Sequence, residues 1–218
     1  MPIATRIIKI NPNRIEADKI RNIAEVLKKE SVIAYPTDTF YGLGASCFSE
    51  KAIKKVYRLK GRSLSKPLSL LVSGMDMVQE IAFDIPSLFF ELAENFWPGP
   101  LTIVLKASSR LPRLLLGPKN SIGIRLPDIL WLQKLMNEAG FPITATSANI
   151  SGKKEIERPE RVMAIFFGKV PLIADGGETK GGLASTVLDL TSLRVEILRQ
   201  GAVPLPLLEK YLGREIKS

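Results

Sequence analysis

The sequence predicts one α/β domain, residues 1–218, built on a mixed parallel/antiparallel sheet with flanking helices. Three observations predict it. Apolar strand-like runs alternate with helical-period segments through the earlier part of the chain. Later runs follow one another through short loops, as directly joined strands do. No Pro/Gly/Ser linker, low-complexity run or internal repeat divides the chain.

The elements follow in order. "RIIKI" (6–10) reads as a strand, and 14–29 as a helix with Ile20, Ile23, Ala24 and Leu27 at helical spacing. "SVIAYPT" (31–37) is strand-like. Residues 49–61 predict a helix begun by Ser49, acidic in its first turn and stopped by Gly61. "PLSLLVS" (67–73) is a strand, and two helical stretches fill 75–96, the second introduced by Pro86. Strands at 101–107 and 121–127 flank a polar, Pro-containing loop. Residues 128–140 form a well-marked helix, with Asp128 as N-cap and Gly140 in the C-cap region. A strand at 142–147 and a helix at 158–168 precede the close-spaced strands 170–177, 185–191 and 194–201, and "PLLEKYLG" closes the chain as a helix.

Composition bounds the chemistry. At 45% hydrophobic and 24% charged residues the chain reads as an ordinary globular protein. Cys47 is alone, which excludes an internal disulfide. No signal peptide and no membrane-length apolar run is visible, so the expectation is cytoplasmic, with no membrane partner. Lys plus Arg number 31 against 22 Asp plus Glu, a net charge of +9. That excess favours anionic partners, or is simply a solvated basic surface. Histidine is absent, which excludes a histidine base, a Ser-His-Asp triad and a histidine-ligated zinc.

Five polar segments break the pattern where α/β proteins place ligands: "YPTDTFYGLG" (35–44), "KGRSLSKP" (60–67), "SIGIRLPD" (121–128), "TATSANISG" (144–152) and "DGGETKGGLAST" (175–186). In extended chain Lys60 and Arg62 face the same side and suit a polyphosphate. Ser147 and Asn149 repeat this spacing with neutral donors. Each pair alone is as readily a solvated charge pair or a turn. Arg125 interrupts an apolar strand, and a buried guanidinium needs an anion, whether a salt-bridge partner or a ligand. Neither G-x-x-x-x-G-K-[ST] nor G-x-G-x-x-G is present, and "DGGETKGG" is an anion nest or a flexible turn.

Taken together, "YPTDTFYGLG", "KGRSLSKPL", "FWPGPLTIVLK", "IGIRLP", "TSANISG", "DGG" followed by "STVLDL", and "LRQGAV" resemble the YrdC-like family, over about residues 30–203. The resemblance implies a twisted mixed sheet with a basic concave cleft. It also implies a nucleotidyltransferase that makes threonylcarbamoyl-AMP and pyrophosphate from L-threonine, bicarbonate or CO2, and ATP. A downstream tRNA threonylcarbamoyl-transferase complex would then use the product on position 37 of tRNA. By the same resemblance Lys60 and Arg62 are catalytic and, with Ser121, Ser147, Asn149 and Arg199, bind the nucleotide. Thr37, Arg125 and Ala145 contact threonine, Thr39 joins Thr37 in recognising it, the glycines of 42–44 admit the ligand, and the tyrosines wall the pocket. No residue is assigned to a metal. Mg2+ is expected mainly on phosphate oxygens and water, because these segments hold no carboxylate cluster.

Two departures stand out. Ser63 replaces a proline that many relatives carry, predicting a less rigid loop, and Leu71 stands where many have histidine. The chain is expected to be the short type, without the extra C-terminal domain of longer relatives. The rival reading is a non-catalytic module for double-stranded RNA or tRNA, for which salt-sensitive binding would be the mark. A divergent, inactive paralogue is another. The carbamoyl-transfer domain of hydrogenase maturation proteins is a third, but it expects cysteine clusters and a longer chain.

Overall fold

The computed structural model describes residues 3–12, 14, 16–192, 194–213 and 216. Its strands are β1 (Arg6–Lys9), β2 (Ile33–Pro36), β3 (Tyr41–Gly44), β4 (Ser69–Leu71), β5 (Leu101–Lys106), β6 (Ser121–Arg125), β7 (Ile143–Ser147), β8 (Leu172–Asp175), β9 (Thr186–Asp189) and β10 (Glu196–Arg199). Its α-helices are α1 (Ala17–Lys28), α2 (Glu50–Lys60), α3 (Met75–Ile81), α4 (Ser87–Phe96), α5 (Leu130–Ala139), α6 (Pro159–Phe166) and α7 (Leu205–Leu212).

Among the described residues the strands form one sheet in the order β1-β8-β2-β3-β7-β4-β6-β5-β9-β10. Parallel pairs join β8 to β1 and β2, β4 to β6, and β5 to β9, and the other neighbours are antiparallel. This is the mixed α/β architecture the alternation predicts.

Strand side chains alternate between the sheet's faces, so each central strand feeds two cores. On one face Ile33, Tyr35, Leu71, Ile143 and Leu172 pack against Ile20, Ile23 and Leu27 of α1 and Trp131, Leu135 and Met136 of α5. On the other, Ala34, Leu43, Leu70, Ile103 and Ile173 meet α2, α3, α4, α6 and α7 through residues such as Ile53, Val78, Phe89, Phe166 and Leu208. Helix α2 starts as its sequence predicts: the Ser49 hydroxyl accepts the Ala52 N–H at 3.2 Å, and Gly61 closes it in left-handed conformation at φ 58°.

Three local expectations are corrected. Helix α1 begins at Ala17 rather than at 14, and Ile15 of the predicted span lies outside the described residues. Asp128 does not cap α5; the helix begins at Leu130 after Ile129, with no side-chain cap bond, although Gly140 ends it as expected at φ 81°. Residues 41–44 are not part of a loop but pair with β2 as an antiparallel hairpin, Tyr35 opposite Gly42 and Ile33 opposite Gly44. That strand is masked in the sequence because half of its side chains are hydrogens.

Those glycines make room for a ring. A Cβ on Gly42 would lie 2.9 Å from Tyr35 Cζ, and one on Gly44 2.8 Å from Tyr35 Cε1. The Tyr35 ring crosses both to donate its hydroxyl to the Thr144 carbonyl of β7 at 3.0 Å. Gly42→Ala is therefore expected to destabilise the protein by about 1–3 kcal/mol through overpacking, measured as a lowered urea midpoint with unchanged m-value.

Among the described residues no helix is long and apolar enough to cross a membrane.

Candidate functional site

A cavity of about 500 Å3 opens where the β2–β3 hairpin tip, the α2–β4 loop, β6, the end of β7 and the start of β9 converge. Lys60, Arg62, Lys66, Arg125, Lys153 and Arg199 line it, against one carboxylate, Glu155, among the described residues. Thr37, Ala145, Ser147 and Asn149 line it too. Every residue nominated from the sequence is thus at this cavity except Ser121, which is buried at the head of β6, and Gly44, which faces the Tyr35 ring instead of admitting a ligand. The walls include Tyr35 and Tyr41, whose phenols burial holds above their ordinary range.

Lys60 reaches the cavity in a way an extended chain would not allow. It is the last residue of α2, so Lys60 and Arg62 are separated by the left-handed turn at Gly61 instead of standing side by side on a strand. Lys60 is only 2% exposed. Its ammonium donates to the Asn149 carbonyl at 3.0 Å, the Asn149 Oδ1 at 2.8 Å and the Ser147 carbonyl. Its own carbonyl accepts from the Ser151 N–H at 2.8 Å. The lysine is therefore a strut that pins the end of β7 and the following turn to α2. Burial, and then the neighbouring Arg62, lower its pKa to about 8, while Glu155 opposes the shift.

The turn it holds is internally wired. Ser147 Oγ donates to Asn149 Oδ1 at 2.7 Å, and Asn149 Nδ2 donates to the Lys153 carbonyl. The Ser151 hydroxyl, also lining the cavity, is buried without a hydrogen-bond partner. Arg62 is half-buried and braces its own loop, donating to the carbonyls of Lys66 at 3.1 Å and Pro67 at 3.0 Å. In that loop the Ser63 Oγ accepts the Ser65 N–H at 3.3 Å. Leu71 is a buried apolar wall of the cavity, offering no donor where histidine could have offered one.

On the opposite wall Arg199 lies against Ser185, donating to its carbonyl from Nε at 3.0 Å and Nη2 at 2.9 Å and to its Oγ at 3.0 Å. Burial lowers the Arg199 pKa, though the guanidinium remains charged at any physiological pH. Ser185 Oγ also pairs with Thr102 Oγ1 at 2.8 Å. Sequence reasoning missed Ser185, Ser151, Lys153 and Glu155. The only available signal was their place inside the quoted "DGGETKGGLAST" and "TSANISG" segments or just after them.

Arg125 answers the question its strand posed. Its Nε donates to the Gly99 carbonyl at 2.9 Å, and its Nη2 is ion-paired with Asp38. The salt-bridge partner thus exists, yet the guanidinium still lines the cavity. Thr37, next to that partner, has a committed hydroxyl: it accepts the N–H groups of Thr39 and Phe40, each at 3.2 Å, and donates to the Phe40 carbonyl at 2.6 Å. Its local role is to build the hairpin tip.

No group of three or more His, Cys, Asp or Glu residues placed to hold a metal exists among the described residues. With one carboxylate in the cavity, the side chains do not form a magnesium site of their own.

Comparison with known proteins matches this geometry to a family. The Sua5/YciO/YrdC family, described as "Telomere recombination", matches residues 25–201. The threonylcarbamoyl-AMP synthase of Pyrococcus abyssi is 40% identical over 92% of the chain, and that of Bacillus subtilis 35% over 89%. The chain spans 59% and 57% of those two relatives. The crystal structure of P. abyssi Sua5 complexed with L-threonine superposes with a TM-score of 0.93 at 39% identity, over 98% of this chain and 63% of that one. A sheet, a cavity and a match of this extent place the chain in the Sua5/YciO/YrdC family.

Proposed function

We propose that the protein is a nucleotidyltransferase that forms threonylcarbamoyl-AMP and pyrophosphate from L-threonine, bicarbonate or CO2, and ATP. The observation that carries the reading is one cavity in which a guanidinium with a free end, Arg125, stands with a set of cations suited to a triphosphate. The names of the relatives and the threonine complex of P. abyssi Sua5 support it.

The chemistry needs no histidine. The threonine amine and CO2 give a carbamate, whose oxygen forms a bond to the α-phosphorus of ATP as the bond to pyrophosphate breaks. Positioning and charge neutralisation are then the protein's work. Arg125 takes the amino-acid carboxylate. Arg62, Arg199 and Lys153 neutralise phosphate charge, and Lys60 holds the Ser147–Asn149 turn that lines the nucleotide side. Thr37 and Ala145 shape the amino-acid end. Ser121 supports the β6 wall from behind. Mg2+ would enter with the nucleotide, carried mainly by its phosphate oxygens and water. The product would serve a downstream transferase complex acting on tRNA in the cytoplasm.

The test is an omission assay: pure protein with ATP, Mg2+, bicarbonate and threonine, each left out in turn, with pyrophosphate measured. Release is expected only from the full mixture. Pyrophosphate release indifferent to threonine would reject the reading, and tight, salt-sensitive RNA binding without it would favour the non-catalytic module.

A further inference from the structure

We propose that Asp38 is the positioning residue for Arg125, holding one edge of the guanidinium so that its end faces an amino-acid carboxylate. This inference rests on the proposed threonine-dependent reading and deepens it. The two interactions that fix Arg125, Nε with Gly99 O and Nη2 with Asp38, lie on one edge of the planar group. Among the described residues Nη1 makes no hydrogen bond, and Arg125 lines the cavity. A carboxylate arriving end-on meets Nη1 and the second N–H of Nη2 as two parallel donors. The edge is anchored and the end is open.

Both anchors are themselves fixed. Thr37 Oγ1 accepts from two backbone N–H groups and donates to Phe40 O, closing the tip from which Asp38 projects. Gly99 donates its N–H to the Leu126 carbonyl at 3.0 Å, next in chain to Arg125. A Cβ there would stand 2.5 Å from the Phe96 carbonyl oxygen, so only glycine brings its carbonyl to this place.

Stability does not account for Asp38. A buried ion pair gains little net energy, and Asp38 Oδ1 is buried with no hydrogen-bond partner, a desolvation cost that a smaller uncharged residue would avoid. What the carboxylate supplies is direction and charge. With Asp38 attached, the Arg125 end offers oriented donors to a carboxylate but no net positive charge to a polyphosphate. Asp38 thereby separates the amino-acid end of the cavity from the triphosphate end, where among the described residues Arg62 and Arg199 form no salt bridge and Glu155 is the one carboxylate lining the cavity.

Asp38→Asn tests this in the 218-residue chain by turnover and by calorimetry of L-threonine and L-threoninamide without ATP. The expected result is a threonine KM raised roughly ten- to hundredfold, with kcat at saturating threonine near wild type. The variant should still fold, though with lowered thermal stability because Arg125 loses its charged partner, and inorganic tripolyphosphate should become competitive with threonine. In calorimetry the preference for threonine over its amide should shrink in the variant. An unchanged or lowered threonine KM, or kcat lost at unchanged KM, overturns the proposal. If Asp38→Asn does not fold, Asp38→Glu is read by the same criteria, and failure of both to fold makes Asp38 a folding residue and overturns the proposal. Should wild type release no pyrophosphate, the functional reading fails, while an Asp38-dependent carboxylate preference in calorimetry would still uphold the inference.

Discussion

Arg125→Ala is expected to reduce kcat/KM for threonine by roughly 30- to 700-fold, equivalent to about 2–4 kcal/mol, mainly through KM. Two losses combine. The substrate carboxylate forfeits a forked, charge-assisted partner, and Asp38 is left as an unpaired carboxylate in a site where its side chain is 19% exposed. The second loss appears in stability, as a destabilisation of about 3 kcal/mol by urea unfolding. The double substitution Arg125→Ala/Asp38→Asn separates the two, because it should regain most of the stability and none of the threonine affinity. An Arg125→Ala protein with wild-type threonine KM would remove the arginine from substrate binding.

Lys60→Met should lower turnover by about 100-fold or more, because the end of β7 and its turn lose their tie to α2 and the groups lining the nucleotide side shift. Three acceptors, the carbonyls of Ser147 and Asn149 and the Asn149 side-chain oxygen, lose their donor together. Lys60→Arg is not expected to rescue, since a planar fork cannot serve three acceptors converging on one ammonium. The same strut predicts a pH dependence of activity. If the charged lysine makes the tie, turnover falls as pH rises through about 8, the value to which burial lowers Lys60.

Stability should move the other way. The folded pKa lies below the unfolded 10.5, so between about 8 and 10.5 the unfolded chain binds more protons. The cost of burying the ammonium is full below that window and is relieved as pH rises across it. Activity falling while the Lys60 contribution to stability rises is a signature that a general alkaline unfolding would not give. Comparing wild type with Lys60→Met by pH–rate profile and urea titration checks both signs.

Local pattern revealed what depends on neighbours in sequence. Helical spacing of Ile20, Ile23, Ala24 and Leu27 marked the buried face of α1, and Ser49 and Gly61 marked both ends of α2. The β3 strand escaped because Gly42 and Gly44 carry no β signal; their use appears only once Tyr35 is seen lying across them. The Asp128 cap failed because a good capping residue has no effect if the helix begins two positions later.

The site divides in the same way. Ordered motifs were enough to gather Lys60, Arg62, Arg125, Ser147, Asn149 and Arg199 into one functional hypothesis, because residue types and their order are properties of the chain itself. Which of them are free to meet a ligand was decided in three dimensions. Thr37 spends its hydroxyl on a turn, Lys60 gives its protons to a neighbouring strand's end, and Arg125 keeps one end open because Asp38, distant in sequence, holds the other edge. Hydrogen-bond capacity is finite, and its allocation among partners far apart along the chain exists only after folding has brought them together.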